Sequence, residues 1–171
     1  MPQPQPNIRR ATVGDAAAIA AVDVASWRAA YHNLMPDAYL DALSVDEKTA
    51  SWARSLGREA ASKKQTFVAE RDGDVIGYAT VGPDGESGSG LLYLMYVTPE
   101  HWRGGAGHAL MLASRDALKR DGYRMAVLWV LERNERARRF YEADGWTADA
   151  LTQTSDYGGT PLVALRYVTR L

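Results

Sequence analysis

A glycine-rich turn, "PEHWRGGAGHALML" at residues 99–112, holds residues whose types and spacing fit a chemical role. It follows an apolar run and precedes a helical pattern, although glycine costs helix stability. The first turn of a helix exposes unpaired N–H groups and the positive end of the helix dipole, which together bind anions. Glycine lets a phosphate approach that backbone, and Arg103 and His108 add polar groups. The turn therefore predicts a site for a phosphate or diphosphate.

Three kinds of phosphate site, and a turn without a ligand, compete as interpretations of these glycines. A P-loop requires Gly-Lys-Ser/Thr after the glycines, and that pattern is absent. A dinucleotide site requires Gly-x-Gly-x-x-Gly, but Leu110 follows Gly105 and Gly107 where the third glycine belongs. The third kind is the diphosphate loop of a coenzyme A-dependent acyltransferase. On the glycines alone, a tight strand-to-helix turn that binds nothing stays open.

A second candidate pair, Asn134 and Tyr141, lies in "NERARRFYEADGW". Their spacing spans nearly two helical turns, so both side chains lie on one helix face roughly 10 Å apart along the axis. A phenol has a pKa of about 10 and is protonated at neutral pH, so it can act as a general acid. Asn134 is also typical of a helix N-cap, and Tyr141 of an aromatic residue packed beside Phe140.

Apolar periodicity predicts the elements that must position these residues. Candidate strands lie around residues 8–11, on either side of an Asp72-Gly73 hairpin turn, and at 91–97, 125–131, 147–152 and 162–169. Two or three helices follow the first strand, and one helix follows each of the apolar runs 91–97 and 125–131. With no repeat and no linker, the order predicts a flexible tail at residues 1–7 and a single α/β domain at 8–171.

Composition excludes several classes of function. The formal net charge of −1 offers no basic surface for nucleic acid or an acidic membrane. The lack of cysteine excludes disulfides, thiolate metal ligands and a cysteine nucleophile. No apolar run approaches the ~18 residues of a membrane helix, and the N-terminus lacks the apolar core of a secretion signal. His32 and His101 have no partners at metal-ligand spacing, so we expect no metal. The lack of cysteine and of a secretion signal leads us to expect a cytoplasmic protein.

Two segments resemble the GCN5-related N-acetyltransferases, in the order and at the separation typical of that family. "LMYVTPEHWRGGAGHALM" resembles the acetyl-CoA-binding motif, in which Leu-Tyr-Val-x-Pro runs into Gln/Arg-x-x-Gly-x-Gly/Ala. Gly105 and Gly107 match its glycines, whereas Trp102 stands in the Gln/Arg position and cannot supply the usual polar contact. "LWVLERNERARRFYEADGW" is similar to the later motif, a strand, an Asn and a helix with Phe-Tyr that ends in Gly-Phe/Trp.

The resemblance implies a mixed, mostly antiparallel sheet of about seven strands with splayed middle strands, flanked by helices. The pantetheine arm of acetyl-CoA would enter the gap between strands 91–97 and 125–131 and pair with the first of them. A backbone N–H of that strand would polarise the thioester carbonyl. The implied cofactor contacts are Met95, Tyr96, Val97, Arg103, Gly104, Gly105, Ala106, Gly107, His108, Asn134 and Arg138.

The same resemblance makes Tyr141 the acid that protonates the leaving thiolate. Family members often use a glutamate at the start of the splayed strand as general base, but Leu91 occupies that position here. Glu132 is the first substitute, and a solvated charge at a strand end is its alternative. Weaker candidates are Asp84, Glu86, Tyr93 and Asp156. Catalysis without a dedicated base, through water and the deprotonated fraction of the amine, is also open.

The resemblance thus implies an acetyl-CoA-dependent N-acetyltransferase, in which a small primary amine attacks the thioester directly in a ternary complex. Trp27 and Tyr31, one helical turn apart, are candidates to line the acceptor end, with core packing as their alternative. A protein N-terminus or lysine is the second candidate acceptor, and a catalytically silent CoA-binding regulatory module is the rival from another class. Homodimers are common in the family, which makes one a candidate here.

Overall fold

The computed structural model describes residues 5–171, so residues 1–4 of the expected tail lie outside the described part. The strands are β1 (Asn7–Arg10), β2 (Gln65–Arg71), β3 (Asp74–Pro83), β4 (Gly90–Val97), β5 (Met125–Leu131), β6 (Thr147–Tyr157) and β7 (Thr160–Arg170). The helices are α1 (Ala16–Tyr31), α2 (Asp37–Asp41), α3 (Val45–Gly57), α4 (Glu59–Ser62), α5 (Ala106–Arg120) and α6 (Glu135–Ala143). Strand β1 begins at Asn7, which is the last residue of the expected tail.

All seven strands form one sheet in the order β1-β2-β3-β4-β5-β7-β6. Each neighbouring pair is antiparallel except β4 and β5, which are parallel. A parallel pair needs a crossover connection, and α5 lies in the segment that joins β4 to β5. The prediction of a mixed, mostly antiparallel sheet flanked by helices is confirmed.

Two local features form the β2–β3 turn and the start of α3. Asp72 and Gly73, at the tip of the β2–β3 hairpin, both have positive φ, at 53° and 89°, as a two-residue hairpin turn requires. Ser44 caps α3 by accepting a hydrogen bond from the backbone N–H of Glu47 at 3.2 Å. These two short-range features determine the turn between β2 and β3 and the position where α3 begins.

The sheet separates two apolar cores because side chains alternate between its faces. Phe67 and its partner Ala79 belong to the core that packs against α5. Val68 and its partner Tyr78 belong to the core that packs against α1 and α3. The end of β4, which has side chains packed against both cores, therefore lies between helices on both faces of the sheet.

A third apolar cluster joins the end of α1 and helix α2 to the β6–β7 hairpin. Its buried members are Tyr31, Met35, Leu40 and Leu162. Partly buried aromatic rings, among them Trp27, Tyr96 and Tyr157, pack against it. Because Tyr96 lies on β4, this cluster brings side chains from distant parts of the chain to the place where β4 leaves β5.

Candidate functional site

The middle of the sheet opens into a cleft because β4 and β5 stay paired only at one end. Their register covers Gly90–Leu92 against Ala126–Leu128 and goes no further, although β4 continues to Val97 and β5 to Leu131. Both diverging strands line a cleft of about 1220 Å³. Beyond Leu92 the backbone of β4 pairs with β3 alone, so its other edge faces the cleft. The splayed middle strands that the resemblance implied are confirmed.

A β-bulge marks the point where β4 turns away from β5. Opposite β3, Thr80 pairs with Leu94 but Val81 pairs with Leu92, which leaves Tyr93 as the extra residue. The hydroxyl of Tyr93 donates to the carbonyl oxygen of Pro83 at 2.5 Å. A bulge bends its strand and redirects the backbone beside it. This bend separates the paired start of β4 from the edge that lines the cleft.

The glycine turn, residues 102–108, connects β4 to the N-terminus of α5. Gly105 is the N-cap with φ +83°, a left-handed conformation that glycine adopts without strain. Arg103 also has a positive φ, 64°, which costs a residue with a side chain about 1–2 kcal/mol. From β2, the guanidinium of Arg71 donates to the carbonyl oxygen of Gly104 at 2.8 Å and supports the turn from behind.

Most of the glycine turn faces the cleft. Arg103, Gly105, Gly107 and His108 line it, whereas Gly104 and the fully buried Ala106, which were also expected at the cofactor, are not part of the lining. A Cβ on Gly107 would lie 3.3 Å from the ring of Phe140 on α6. Glycine at this position therefore lets α5 and α6 approach each other closely at the start of α5.

Trp102 makes two contacts that local sequence reasoning did not identify. Its indole N–H donates to the carbonyl oxygen of Val97 at 2.7 Å, where the hydroxyl of Ser26 also donates, at 3.2 Å. The centroid of its ring lies 3.6 Å from the guanidinium carbon of Arg136 on α6.

The three β4 residues expected at the cofactor, Met95, Tyr96 and Val97, all line the cleft. The carbonyl oxygen of Val97, however, already accepts the two hydrogen bonds from Trp102 and Ser26.

Helix α6 presents Asn134 and Tyr141 to the cleft, as their spacing predicts. Asn134 is also the N-cap, since its side chain accepts from the N–H of Ala137 at 3.2 Å. Tyr141 packs against Phe140 and Trp146, with ring centroids 5.4 and 6.3 Å away. Its hydroxyl has no hydrogen bond to any described residue, and burial raises its pKa, so the phenol stays protonated. Both residues thus have a structural role and a place in the cleft.

Two further residues expected at the site, Arg138 and Glu132, lie outside the cleft. Arg138 follows Ala137 by a rotation of about 100°, which turns it toward β7, where it donates to the hydroxyl of Tyr167 at 3.0 Å. It also donates to the backbone oxygen of Glu132 at 3.0 Å. The side chain of Glu132 is exposed at the end of β5 and is not part of the lining. The direction of each side chain, which spacing alone did not determine, explains the difference.

The lining is poor in carboxylates that could act as a general base, although His101 and His108 lie in it. Leu91 lies where β4 is still paired with β5, opposite Val127. Among the described lining residues the single carboxylate is Glu135, and Arg139 pairs with it at 2.9 Å. Of the weaker candidates, Tyr93 lines the cleft, and its hydroxyl is engaged with Pro83. The described residues contain no group of three side chains that could hold a metal ion.

The end of the cleft beside α1 is built from aromatic rings. Trp27 has the rings of Tyr31, Tyr157 and Tyr96 at 5.1, 6.2 and 6.3 Å. The hydroxyls of Tyr31 and Tyr96 are hydrogen-bonded at 3.0 Å, and burial raises the pKa of both phenols. Trp27 and Tyr31 therefore belong both to the core and to the cleft wall. Tyr157 and the side chain of Tyr96 carried no local signal, because only the folded chain brings them to this end.

Comparison with known proteins places the same residues in a known sequence pattern. The model of the acetyltransferase (GNAT) family matches residues 21–146, which include the glycine turn and α6. The chain is 37% identical to an uncharacterized N-acetyltransferase of Bacillus subtilis, YuaI, over 80% of this chain and 78% of that protein. A mycothiol acetyltransferase of Thermobispora bispora is 36% identical over 50% of this chain and 32% of that protein.

Solved structures share the fold at low sequence identity. The PaiA N-acetyltransferase of Thermoplasma acidophilum, in complex with coenzyme A, has a TM-score of 0.80 at 19% identity and covers 98% of this chain and 100% of that one. The putative acetyltransferase YncA of Salmonella typhimurium, with acetyl-CoA, has a TM-score of 0.74 at 22% identity and covers 98% of this chain and 95% of that one.

No helix among the described residues is long and apolar enough to span a membrane.

Proposed function

Because the chain belongs to the acetyltransferase (GNAT) family and is an N-acetyltransferase, we propose that it transfers the acetyl group of acetyl-CoA to a primary amine of a small molecule. The observation that carries this proposal is the cleft between β4 and β5. One wall offers a free strand edge and the glycine turn, and the other offers Asn134 and Tyr141. Donor and acceptor would meet in it as a ternary complex.

Acetyl-CoA fits this cleft by shape and by charge. The free N–H groups at the start of α5, with Arg103 and His108 beside them, suit its diphosphate. The unpaired edge of β4 suits the amides of its pantetheine arm, and Asn134 lies on the opposite wall. The fold relatives solved with coenzyme A and with acetyl-CoA support the same donor here. This substrate supplies the activated acetyl group.

The reaction forms an amide and breaks the thioester C–S bond. The nitrogen of the neutral amine attacks the carbonyl carbon, while a backbone N–H of β4 beyond the bulge at Tyr93 stabilises the charge on the carbonyl oxygen. The hydroxyl of Tyr141 donates its proton to the departing sulfur and regains one from solvent. With Glu135 paired to Arg139, the proton of the amine passes to water.

Three features support a small acceptor. The third apolar cluster packs behind the aromatic end, so side chains of α1 and β6 form a wall there. Mycothiol acetyltransferases are among the relatives. A nourseothricin acetyltransferase shares the fold over 63% of this chain at 29% identity, with a TM-score of 0.56. A protein N-terminus is the second candidate, and the ribosomal-protein-alanine N-acetyltransferase of Brucella melitensis, with a TM-score of 0.77, shares the fold at 23% identity.

The substitution Tyr141→Phe tests the proposed chemistry. It should lower kcat about 100-fold, because the leaving thiolate loses its acid, and should change the Kd for CoA less than about twofold. Since burial raises the pKa of Tyr141, the wild-type kcat should not fall through loss of this proton up to about pH 10. Release of free CoA thiol with a panel of amines measures kcat, and calorimetry measures CoA binding.

A matched control is Tyr123→Phe, which removes a phenol outside the described lining and should leave kcat unchanged. Equal losses of kcat and CoA affinity in Tyr141→Phe would reduce Tyr141 to a packing residue. Tight binding of CoA by the wild type, with no thiol release for any amine, would favour the silent regulatory module.

A further inference from the structure

One peptide unit of the glycine turn is held by a side chain that is not part of the cleft lining. Arg71, the last residue of β2, donates from its guanidinium to the carbonyl oxygen of Gly104 at 2.8 Å. Gly104 does not line the cleft, whereas the next residue, Gly105, does. The carbonyl of Gly104 and the N–H of Gly105, which belong to the same peptide unit, therefore have different surroundings.

The geometry of a trans peptide determines where the N–H of Gly105 points. No peptide bond among the described residues is cis, and in a planar trans peptide the C=O and N–H bonds point in opposite directions. Because the carbonyl of Gly104 is directed at Arg71, the N–H of Gly105 is directed away from Arg71. This N–H forms no hydrogen bond with another described residue. It is therefore a donor available to a ligand beside the start of α5.

The backbone of the turn does not determine this orientation without help. The peptide lies between two glycines, Gly104 and Gly105, which adopt positive and negative φ about equally well. The whole peptide unit can therefore turn over at little steric cost. In the reversed orientation a carbonyl oxygen would replace the N–H and would repel a phosphate. The hydrogen bond from Arg71 stabilises the orientation that suits an anion.

Arg71 is a costly residue to place at the end of β2. It is buried, with 9% of its surface exposed, and a guanidinium keeps its charge throughout the pH range of proteins. Burial of a charge costs free energy, and an apolar side chain packed on α5 would avoid that cost. Its positive charge, one peptide unit away from the N–H of Gly105, favours an anion at that N–H.

We propose that Arg71 is a positioning residue for acetyl-CoA: it fixes the peptide between Gly104 and Gly105 so that the N–H of Gly105 donates to the diphosphate. Arg71 itself does not touch the acetyl donor. A hydrogen bond from a charged group is stronger than one between neutral groups, and it polarises the peptide, which makes the N–H at the other end a better donor. This inference rests on the proposed function and specifies how the glycine turn binds the diphosphate.

The main alternative is that Arg71 only braces the connection between β4 and α5. A brace of that kind would affect every acetyl donor alike, whereas a residue that positions the diphosphate site affects only acetyl donors that carry a diphosphate. The experiment therefore compares three acetyl donors with the same amine. Acetyl-CoA is complete, acetyl-dephospho-CoA keeps the diphosphate but lacks the 3′-phosphate, and S-acetylpantetheine ends before the diphosphate. Thiol release gives kcat and KM for each.

Arg71→Met should raise the KM of acetyl-CoA and of acetyl-dephospho-CoA about 10-fold and change kcat less than about twofold. Its kcat/KM for S-acetylpantetheine should stay within about twofold of the wild type. Arg71→Lys keeps a charged donor, so the KM of acetyl-CoA should stay within about threefold. The control Arg115→Met removes an arginine of α5 that donates to the carbonyl oxygen of Arg170 at 2.8 Å, outside the lining, and should keep the wild-type ratio between the acetyl donors.

A second measurement uses the wild type and does not depend on the folding of a variant. The backbone amide resonance of Gly105 should shift when CoA is added, because its N–H gains a phosphate oxygen as acceptor, and should shift much less with pantetheine. An amide of Gly105 that does not respond to CoA would overturn the inference.

The remaining outcomes separate the inference from the proposed function. Equal losses for all three acetyl donors in Arg71→Met, or an unchanged KM of acetyl-CoA, would overturn the inference and leave the acetyltransferase activity in place. CoA binding without thiol release for any amine in the wild type would contradict the proposed function. Calorimetry would then still decide the inference, which expects the Kd for CoA to rise about 10-fold in Arg71→Met.

Discussion

The two ends of the cleft are built in different ways. The end that we propose for the acetyl donor, the donor end, consists of one continuous segment, from the edge of β4 through the glycine turn to the start of α5, and it offers mainly backbone groups. The end that we propose for the amine, the acceptor end, consists of side chains from α1, β4 and β6, packed on the third apolar cluster. Backbone groups tolerate few substitutions because a side chain blocks them, whereas a side-chain wall can change its specificity one residue at a time.

Gly107→Val should disrupt the donor end most strongly. A Cβ at this position already meets the ring of Phe140 at 3.3 Å, and the branched side chain would also project over the start of α5. We expect CoA affinity, measured by calorimetry, to fall more than about 100-fold. The control Gly57→Val, where a Cβ meets nothing within 4 Å, should bind CoA normally.

A second variant distinguishes a blocked site from a damaged fold. In the double variant Gly107→Ala with Phe140→Leu, the leucine side chain is smaller than the phenylalanine ring and makes room for the added methyl group. Thermal unfolding should then be close to wild type while CoA affinity stays reduced. Unchanged CoA affinity in both folded Gly107 variants would show that the glycine turn does not hold the diphosphate.

Arg103→Gly should separate charge from backbone strain within the donor end. The change relieves the left-handed conformation of Arg103, so stability should stay equal or rise by up to about 1 kcal/mol. Loss of the cation should weaken CoA binding about 10-fold. Arg103→Ala loses the same charge but keeps the strain, so it should bind CoA as weakly and unfold at a lower temperature than Arg103→Gly. Equal CoA affinity in all three proteins would remove Arg103 from the site.

Tyr31→Phe should have the smallest effect and confine it to the acceptor end. The change removes the hydrogen bond with Tyr96 and leaves that hydroxyl without its partner, which should lower the free energy of unfolding by about 1 kcal/mol. Because the Tyr96 ring is then held less firmly in the cleft wall, we expect a small rise in the KM of the amine. The Kd for CoA should not change. The double variant Tyr31→Phe with Tyr96→Phe should lose less than the sum of the single variants, since both groups share one bond. An effect on CoA affinity larger than that on the amine would contradict the division into two ends.

Much of the fold was predictable because its signals are local. Asp72-Gly73 determines a hairpin turn through the φ angles that it adopts, and Ser44 caps α3 through a bond to Glu47 three residues away. The wholly apolar run at 91–97 indicated a strand covered on both faces, as β4 is. The glycine turn was recognisable for the same reason, since a single segment forms it.

The acceptor end and the direction of single side chains were not predictable in this way. Glu132 and Arg138 lie within a few residues of Asn134, yet both point away from the cleft because the end of β5 and the turn of α6 direct them to β7 and to solvent. The sequence indicated that Trp102 replaces a residue with a polar contact, whereas in the structure its ring stacks against the guanidinium of Arg136. Helical spacing placed Trp27 and Tyr31 together but gave no sign of Tyr157.

The amino-acid sequence by itself determined the order of the strands, the glycine turn before α5 and the shared helix face of Asn134 and Tyr141, but it indicated two or three helices between β1 and β2 where the structure has four. Each of these depends on residues a few positions apart, whose geometry the backbone dictates. Only the tertiary structure decided that β4 leaves β5 after Leu92, and that Trp102 meets Arg136 in the gap. Those contacts depend on how helices pack on both faces of the sheet, which brings together side chains that no short-range rule relates.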